Sequence, residues 1–415
     1  MNRKQRRARE KARQPSSPTE MADARDPITL HSDGVQAFRA GHLEMAANLI
    51  AKAIAANGHM PDFHYNLAIV LRAQGKLKKA AASYQRAIVL KSDYAEAHNN
   101  LGNVWKALGK LDDARACFEH ALRCKPGNAD THYSLGILCS DLGDRAEAAL
   151  HFHRCLDRDP DDSRGVRMLL AHLGLASAPE RTPQAQLLNL YDVRARFWDR
   201  ESSYFGHILV AEALQKYVAN ANLDILDIGC GTGLVGAQVR HLAGKLDGVD
   251  VSCAMLEKAR NKEIYDRLDQ ADFVSFMSAH PASYDAILGA ATLIHFGDLH
   301  AVFRAAAMCL RDGGLFVFTL FSGAPDVSRE AGGTDFAVAS NDKLAQSGCY
   351  THSANYVERL AAESGLSVQM LKKVVHEYDQ NDNPIPGILV VLRRGSRSGL
   401  EEPAQLRVPQ QRDQS

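Results

Sequence analysis

The stretch LDILDIGCGTG, residues 223–233, decides the fold of the second half of the chain. Its first six residues, Leu223–Ile228, are mostly apolar and predict a buried strand, and three glycines in alternate positions follow it directly. Glycine lets the backbone turn tightly and approach a ligand closely, because no Cβ atom stands in the way. Open α/β sheets bind their ligands at the carboxyl ends of the strands. The stretch therefore predicts a ligand-binding loop on a parallel sheet.

The spacing of the glycines distinguishes this loop from two other nucleotide-binding loops. Position 234 is Leu, where a dinucleotide-binding G-x-G-x-x-G loop needs its last glycine, and the Gly-Lys-Ser/Thr of a P-loop is absent. Nineteen residues after Gly231, the strand-like run LDGVDVS reaches Asp250. A carboxylate at the end of the second strand can accept hydrogen bonds from both hydroxyls of a ribose. The loop and the acid together predict a nucleoside-containing cofactor.

The pattern D-x-G-x-G-x-G from Asp227 to Gly233 resembles motif I of the class I methyltransferases, which use S-adenosyl-L-methionine. The run GVDVSCAMLEKAR, residues 248–260, is similar to the segment that follows in that family, and the resemblance extends over residues 187–393. It implies a Rossmann-like α/β domain with a seven-stranded, mostly parallel sheet. It also implies S-adenosyl-L-methionine as the cofactor.

The resemblance implies particular cofactor contacts. Asp227 would meet the methionyl ammonium, directly or through water, and Val251 and Met255 would flank the adenine. Asp272 in QADF would accept a hydrogen bond from the adenine amino group, while the next backbone N–H would meet the ring. Without the resemblance, Met255 would be interpreted as a core methionine on a helix rather than as a cofactor contact. The expected cofactor-binding residues are Asp227, Gly229, Cys230, Gly231, Gly233, Asp250, Val251, Met255, Asp272 and Phe273.

No catalytic group is assigned, because methyl transfer from a sulfonium is an in-line displacement that gains most of its rate from positioning. The candidates are His295 after the predicted strand Tyr284–Gly289, Tyr191, and the run Tyr350–Ser353. Two roles for His295 stay open at this stage: proton abstraction, for which histidine is a suitable residue type, and a hydrogen bond to the loop backbone. Tyr191 and Phe197 resemble a lid over the cofactor, or they form the aromatic core of their helix.

The first half of the chain repeats every 34 residues, which is the tetratricopeptide period. Three stretches align without a gap, and they begin at Pro61, Ala95 and Ala129. In the middle copy, Gly102 and Ala114 are small where two helices should cross, while Phe118 fills the volume between them. The copies closely resemble tetratricopeptide repeats. A weaker copy begins near Pro27.

These observations predict a two-domain chain, an all-α solenoid followed by the α/β domain. The expected organisation is a basic disordered tail at 1–26, a solenoid of four repeats plus a capping helix at 27–175, a linker at 176–186, the methyltransferase domain at 187–393 and a disordered tail at 394–415.

Solenoids of this type bind extended peptides on the surface lined by their first helices. Asn66 and Asn100 occupy the same position in successive repeats, where an amide could bond a peptide backbone. Ser134 interrupts this ladder, and the two asparagines fit ordinary solvated positions equally well. A protein or peptide partner is the expectation.

Composition limits the other partners. Lys plus Arg equals Asp plus Glu at 49 each, so only the basic N-terminal tail suggests a contact with nucleic acid. The eight cysteines include no CxxC pair, which argues against a zinc site or a disulfide framework. No apolar stretch is long enough to span a bilayer, and the protein is expected in the cytoplasm.

Three functions remain open at this stage. The first is a methyltransferase whose repeats recruit a protein substrate or partner. The second is a non-catalytic scaffold with a domain that senses S-adenosylmethionine. The third is a small-molecule methyltransferase, of the quinone or carrier-bound acid type, whose repeats serve assembly alone. The sequence names neither the methyl acceptor nor the oligomeric state.

Overall fold

The computed structural model describes residues 26–195, 198–200, 204–219, 221–323, 336–339, 347–379 and 382–395. The predicted basic tail up to residue 25, Phe197 and the end of the chain from residue 396 lie outside these ranges. The chain divides into two compact units, Met1–Arg158 and Asp159–Ser415.

The described part of the first unit is built from helix pairs in which the first helix has 13 residues and the second has 14. Each helix begins 34 residues after its counterpart in the preceding repeat. The four-repeat helical solenoid predicted from the sequence is therefore confirmed, including the weak copy at Pro27. The helices are Pro27–Arg39, Leu43–Ala56, Pro61–Ala73, Leu77–Leu90, Ala95–Ala107, Leu111–Cys124, Ala129–Asp141 and Arg145–Arg158.

A glycine facing an aromatic ring fixes the crossing of the two helices in a repeat. A Cβ atom at Gly102 would lie 2.5 Å from Cε1 of Phe118, and one at Gly136 would lie 2.5 Å from Cε1 of Phe152. Both rings are fully buried. Because the glycine has no side chain, the aromatic ring of the second helix can occupy the space beside it.

The second unit contains a nine-stranded sheet covered by helices. Seven strands follow the order β3-β2-β1-β4-β5-β9-β8, and all of them run parallel except β9, which lies antiparallel between β5 and β8. The short strands β6 and β7 extend the carboxyl end of β5. The predicted mostly parallel sheet is confirmed. The strands are β1 Leu223–Ile228, β2 Ala243–Asp250, β3 Arg267–Gln270, β4 Tyr284–Gly289, β5 Leu310–Ser322, β6 Phe336–Val338, β7 Tyr350–His352, β8 Leu366–Tyr378 and β9 Pro384–Arg394.

Both faces of this sheet are buried, which explains the nearly continuous apolar runs of its strands. In β1, Leu226 belongs to one apolar cluster and Ile225 to the cluster on the opposite face, as the alternation of side chains along a strand requires. Among the described residues of this unit, the α-helices are Val166–His172, Gln184–Arg194, Gly206–Tyr217, Leu234–Val239, Cys253–Arg260, Phe273–Ala279, His300–Cys309 and Ala354–Glu363.

The domain boundary differs from the predicted one. The two units divide between Arg158 and Asp159, so the helix expected to cap the solenoid and the expected linker at 176–186 both fall in the second unit. Within that unit, the hydroxyl of Tyr350 donates to the carbonyl of Pro179 at 2.6 Å and lies 3.1 Å from the sulfur of Met168. Amphipathic periodicity predicts a helix but does not tell which surface the helix covers.

The C-terminal end of the second unit also lies slightly later than predicted. Arg394, expected to open the disordered tail, is the last residue of β9. It is buried, and its guanidinium donates to the carbonyl of Leu310. A charged residue at the end of an apolar strand suggests the start of a tail, although here the guanidinium bonds backbone carbonyl oxygens and pairs with Asp312 at 3.5 Å.

Candidate functional site

A cavity of about 990 Å³, counting the part that opens to solvent, lies at the carboxyl ends of β1, β2 and β4. This is the edge where parallel sheets bind ligands. Ten of the twelve residues predicted from the sequence line it. They are Tyr191, Gly229, Cys230, Gly231, Asp250, Val251, Met255, Asp272, Phe273 and His295.

The backbone of the glycine loop forms the floor of the cavity. Gly229 and Gly231 have positive φ values of 58° and 54°, which residues with a Cβ atom rarely adopt. A Cβ at Gly229 would lie 2.5 Å from Cγ2 of Thr292, whereas one at Gly231 would meet no atom within 4 Å. Gly231 therefore faces open space, and a ligand can lie directly against its backbone.

Gly233 has a different position from the other two glycines. It does not line the cavity, its φ is 89°, and a Cβ there would lie 2.9 Å from the ring of Tyr265. Its N–H donates to the carbonyl of Cys230 at 2.8 Å, which closes the loop. Gly233 thus shapes the turn from the loop into the helix Leu234–Val239.

Asp250 ends β2 and ties the second strand to the glycine loop. Its two carboxylate oxygens accept N–H bonds from Gly231 at 2.9 Å and from Ser252 at 2.8 Å. Burial raises the pKa of this carboxyl group, against the effect of these donors. Each oxygen keeps a further lone pair for a ligand hydroxyl.

The far end of the cavity is apolar on its walls and charged at its rim. Val251, Met255 and Phe273 line the walls. Asp272 caps the helix Phe273–Ala279 by accepting from the backbone N–H of Ser275 at 3.0 Å, and its other oxygen pairs with Arg181 at 3.0 Å. A flat apolar ring with polar edges would fit between these groups.

Asp227 lies behind the loop, outside the cavity lining. Its Oδ2 accepts from the hydroxyl of Tyr265 at 2.6 Å, while Oδ1 is buried and has no hydrogen-bond partner among the described residues. Burial raises the pKa of this carboxyl group to about 7. A buried acceptor without a donor is costly, and an ammonium group would satisfy it.

His207 is a lining residue that the sequence did not single out. Its Nδ1 is buried and lacks a hydrogen-bond partner within the described ranges, and burial lowers the pKa of its ring. Its signal in the sequence is weak, because a lone histidine near the start of a helix has many structural uses.

Tyr191 and His295 meet in the cavity. The hydroxyl of Tyr191 lies 2.6 Å from Nε2 of His295, and Nδ1 of His295 lies 3.1 Å from the carbonyl of Gly348. A carbonyl only accepts, so Nδ1 carries the proton and Nε2 accepts from the tyrosine. Burial lowers the pKa of His295 to about 4, and the ring is therefore neutral near neutral pH.

Hydrogen bonds connect the segment that carries Tyr191 to the loops that follow β1 and β2. Asp192 accepts from the hydroxyl of Ser252 at 2.6 Å, next to Asp250. Asp199 accepts from the hydroxyl of Thr232 in the glycine loop and pairs with Lys262 at 2.9 Å. These contacts hold the described residues 184–195 and 198–200 over the cavity.

The expected linker supplies lining residues that sequence reasoning missed, namely Arg181, Thr182 and Gln184. The N–H of Thr182 donates to the carbonyl of His295 at 2.9 Å, and its hydroxyl donates to the carbonyl of Gly348. The Pro-rich composition around these residues is typical of linkers, and no motif marked them as part of the site.

In the first unit, Asn66 and Asn100 have hydrogen-bond partners inside the solenoid. Nδ2 of Asn66 lies 2.8 Å from Nε2 of His31, and Nδ2 of Asn100 donates to the hydroxyl of Tyr65 at 2.9 Å. Each amide thereby links its helix to the first helix of the preceding repeat. Within the described residues, no helix is both long and apolar enough to cross a membrane.

Comparisons with known families agree with this geometry. A family model described as a methyltransferase domain matches residues 226–316, which hold the glycine loop and Asp250. Models of the tetratricopeptide repeat match residues 70–109, 95–128 and 131–164.

Individual relatives match part of the chain. A ubiquinone biosynthesis O-methyltransferase of Hydrogenovibrio crunogenus is 27% identical over 144 residues, which are 32% of this chain and 58% of that protein. The protein of the same name from Thiobacillus denitrificans is 24% identical over 202 residues, 45% of this chain and 84% of that protein. The chain thus spans under two thirds of the first of these relatives.

A solved S-adenosylmethionine-dependent methyltransferase from Mesorhizobium loti is 24% identical, with a TM-score of 0.35, and covers 44% of this chain and 96% of that one. The family implies S-adenosylmethionine as cofactor, and the lining of the cavity fits it in two respects. Gly231 leaves room against the backbone, and Asp250 keeps acceptor capacity for ribose hydroxyls. The chain therefore combines tetratricopeptide repeats with a domain of the S-adenosylmethionine-dependent methyltransferase family.

Proposed function

We propose that the protein transfers a methyl group from S-adenosylmethionine to an acceptor that its repeats bring to the second unit. The single observation that carries the proposal is the pairing of the open backbone at Gly231 with the carboxylate of Asp250 in one cavity at the sheet edge. When bound, the cofactor would supply a methyl group on a sulfonium; an aligned acceptor lone pair can bond to that methyl carbon while the C–S bond breaks and the neutral thioether leaves with its electron pair.

The proposed cofactor contacts follow the sequence assignment. Asp227 takes the methionyl ammonium through its unpartnered oxygen, and Asp250 takes the ribose hydroxyls. Val251, Met255 and Phe273 enclose the adenine, and Asp272 accepts from its amino group. Gly233 shapes the loop and does not itself contact the cofactor.

Tyr191 is proposed to contact the acceptor, and His295 to position Tyr191. The Tyr191 hydroxyl donates its hydrogen bond to Nε2 of His295. The lone pairs on the tyrosine oxygen therefore remain available to accept from a hydroxyl or amine of the methyl acceptor. A histidine with a pKa near 4 is a poor proton acceptor near neutral pH, which argues against His295 as the general base.

Tyr191→Phe tests this assignment. It should lower kcat by about tenfold, the rate equivalent of one hydrogen bond worth about 1.4 kcal/mol, and leave the Kd for the cofactor unchanged. An equal loss in cofactor affinity would mean that Tyr191 closes the lid and does not contact the acceptor.

The repeats are proposed to bind a protein or peptide, with Asn66 and Asn100 as contacts. Both amides already bond a neighbouring repeat through nitrogen, so their carbonyl oxygens are the atoms left to accept from a peptide N–H. Recruitment through such a surface would raise the effective concentration of the acceptor at the catalytic unit.

The experiment is methyl transfer from radiolabelled S-adenosylmethionine in a lysate that is then separated into protein and metabolite pools. Label in a protein band that disappears with Asn66→Ala plus Asn100→Ala supports the proposal. Absence of label in both pools, with intact cofactor binding, would favour a non-catalytic scaffold that senses the cofactor.

A small-molecule acceptor is the second candidate. The aromatic side chains of Tyr191, Trp198, Tyr204 and Phe296 line the cavity and would suit a planar ring. The relatives named above carry the name of O-methyltransferases of ubiquinone biosynthesis. Label in the metabolite pool that is unaffected by loss of the repeats would favour this candidate, with the solenoid serving assembly.

A further inference from the structure

Away from the cavity, three side chains of one repeat bring potential metal ligands together. They are His98 on the helix Ala95–Ala107, and His120 and Cys124 on the helix Leu111–Cys124. One ligand atom from each lies within 4.8 Å of the other two, and Sγ of Cys124 is 3.6 Å from Nδ1 of His120. We propose that His98, His120 and Cys124 form a three-ligand site for a zinc-type divalent ion.

The orientation of His98 is set by the repeat itself. Its Nε2 lies 3.0 Å from the carbonyl of Ser92, and His64 and His132 make the same bond with Gly58 and Pro126 at 3.0 Å. Since a carbonyl only accepts, Nε2 of His98 carries the proton and Nδ1 keeps its lone pair. The fold thereby presents one pre-oriented imidazole ligand, with the tautomer that a metal needs.

The other two ligands are specific to this repeat. The equivalents of His120 are Arg86 and Arg154, and the equivalents of Cys124 are Leu90 and Arg158, each 34 residues away. The His-Cys pair thus departs from the repeat pattern at two positions at once. At a spacing of four residues, both side chains lie on the same face of the helix.

The chemistry of this set selects the ion. Two imidazoles and one thiolate suit zinc, and three protein ligands leave a fourth position for water or for a group from a bound partner. On binding, the Cys124 thiol releases its proton to solvent, and the resulting thiolate offsets the nearby charge of Arg123.

Binding requires one local movement. The rings of His98 and His120 stack at 4.0 Å with an angle of 11° between their planes. Lone pairs lie in the ring planes, so His120 must turn out of the stack for both nitrogens to meet one ion. It is half-buried and near the end of its helix, where such a turn displaces little. Tetrahedral zinc would then draw the ligand atoms to about 3.5 Å apart.

The test uses the full-length, reduced and metal-free protein titrated with Co²⁺ and then with Zn²⁺. The wild type should show visible cobalt bands with a thiolate charge-transfer band, and Zn²⁺ should remove both. His120→Arg and Cys124→Leu install residues that neighbouring repeats carry at these positions, so the fold is preserved. Each should weaken the binding by roughly 100-fold or more, since even outer-shell changes cost about 10- to 100-fold.

Cys117→Ser is the matched control, because Cys117 lies on the same helix outside the cluster. It should bind Co²⁺ as the wild type does. The proposal is overturned if the wild type gives no thiolate band, if the two ligand variants keep wild-type affinity, or if the control loses the signal equally. Cofactor binding by the ligand variants, expected unchanged, keeps this result separate from the proposed methyl transfer.

Discussion

A fragment that begins at Asp159 should fold stably, whereas one that begins at Arg181 should lose a large part of its stability. The second fragment lacks the Pro179 carbonyl that accepts from Tyr350, the sulfur of Met168 beside that hydroxyl, and the Glu180 carbonyl that accepts from the N–H groups of Gly297 and Asp298. It therefore uncovers a fully buried tyrosine and breaks four hydrogen bonds, the fourth being the one that Nδ2 of Asn189 donates to the carbonyl of Ser163.

The size of the effect follows from these contacts. Uncovering a large side chain costs about 1.5–3 kcal/mol. Each hydrogen bond contributes about 0.5–1.5 kcal/mol. The truncation should thus cost roughly 3.5 to 9 kcal/mol, against a total of about 5–15 kcal/mol for a typical domain.

Urea unfolding of the two fragments, followed by circular dichroism, measures the difference directly. Tyr350→Phe in the longer fragment is the matched control, because it removes only the hydroxyl and should cost about 1 kcal/mol. Equal unfolding free energies for the two fragments would refute the reasoning. Residues 159–180 would then contribute nothing to the stability of the second unit.

Three further predictions concern single residues. Asp250→Ala should weaken S-adenosylmethionine binding by about 1–3 kcal/mol in calorimetry, while Asp269→Ala, on the neighbouring strand outside the cavity, should not. Asp227 has a pKa of about 7 in the free protein and must be ionised to bind an ammonium group. The affinity for the cofactor should therefore rise from about pH 6 to about pH 8, and Asp227→Asn should remove this pH dependence. Gly102→Val should destabilise the first unit by about 1–3 kcal/mol in urea unfolding, because its side chain enters the space of the Phe118 ring; an unchanged midpoint contradicts this packing.

The ionisation of Asp227 should also make the stability of the folded protein depend on pH. Its pKa is raised in the folded state, so the folded protein binds more protons than the unfolded chain between about pH 4 and the folded pKa of about 7. Stability without cofactor should therefore fall as the pH rises through this window. Thermal unfolding of the wild type and Asp227→Asn across the same pH range checks this, and identical profiles would contradict it.

The sequence was sufficient where one local rule determines the structure. The 34-residue register predicted where the first helix of each repeat begins, because every repeat packs the same small and large residues at the same crossing. The glycine loop and Asp250 could also be predicted as neighbours, because they follow two adjacent parallel strands.

The remaining parts depend on contacts between residues far apart in the chain. Arg181 reaches Asp272, and Tyr191 reaches His295, across separations of 91 and 104 residues. A pattern within a window of sequence does not encode such pairs. The same applies to His98 and Cys124, which come from two helices and contain no CxxC signature.

The most direct test of the central claim is calorimetric titration of the full-length protein with S-adenosylmethionine, its demethylated product and NAD. The glycine spacing, the acceptors of Asp250 and the unpartnered oxygen of Asp227 predict binding of both sulfur compounds, weakened by Asp250→Ala, and no binding of NAD. Binding of NAD with no heat from either sulfur compound would contradict the assignment of this cavity.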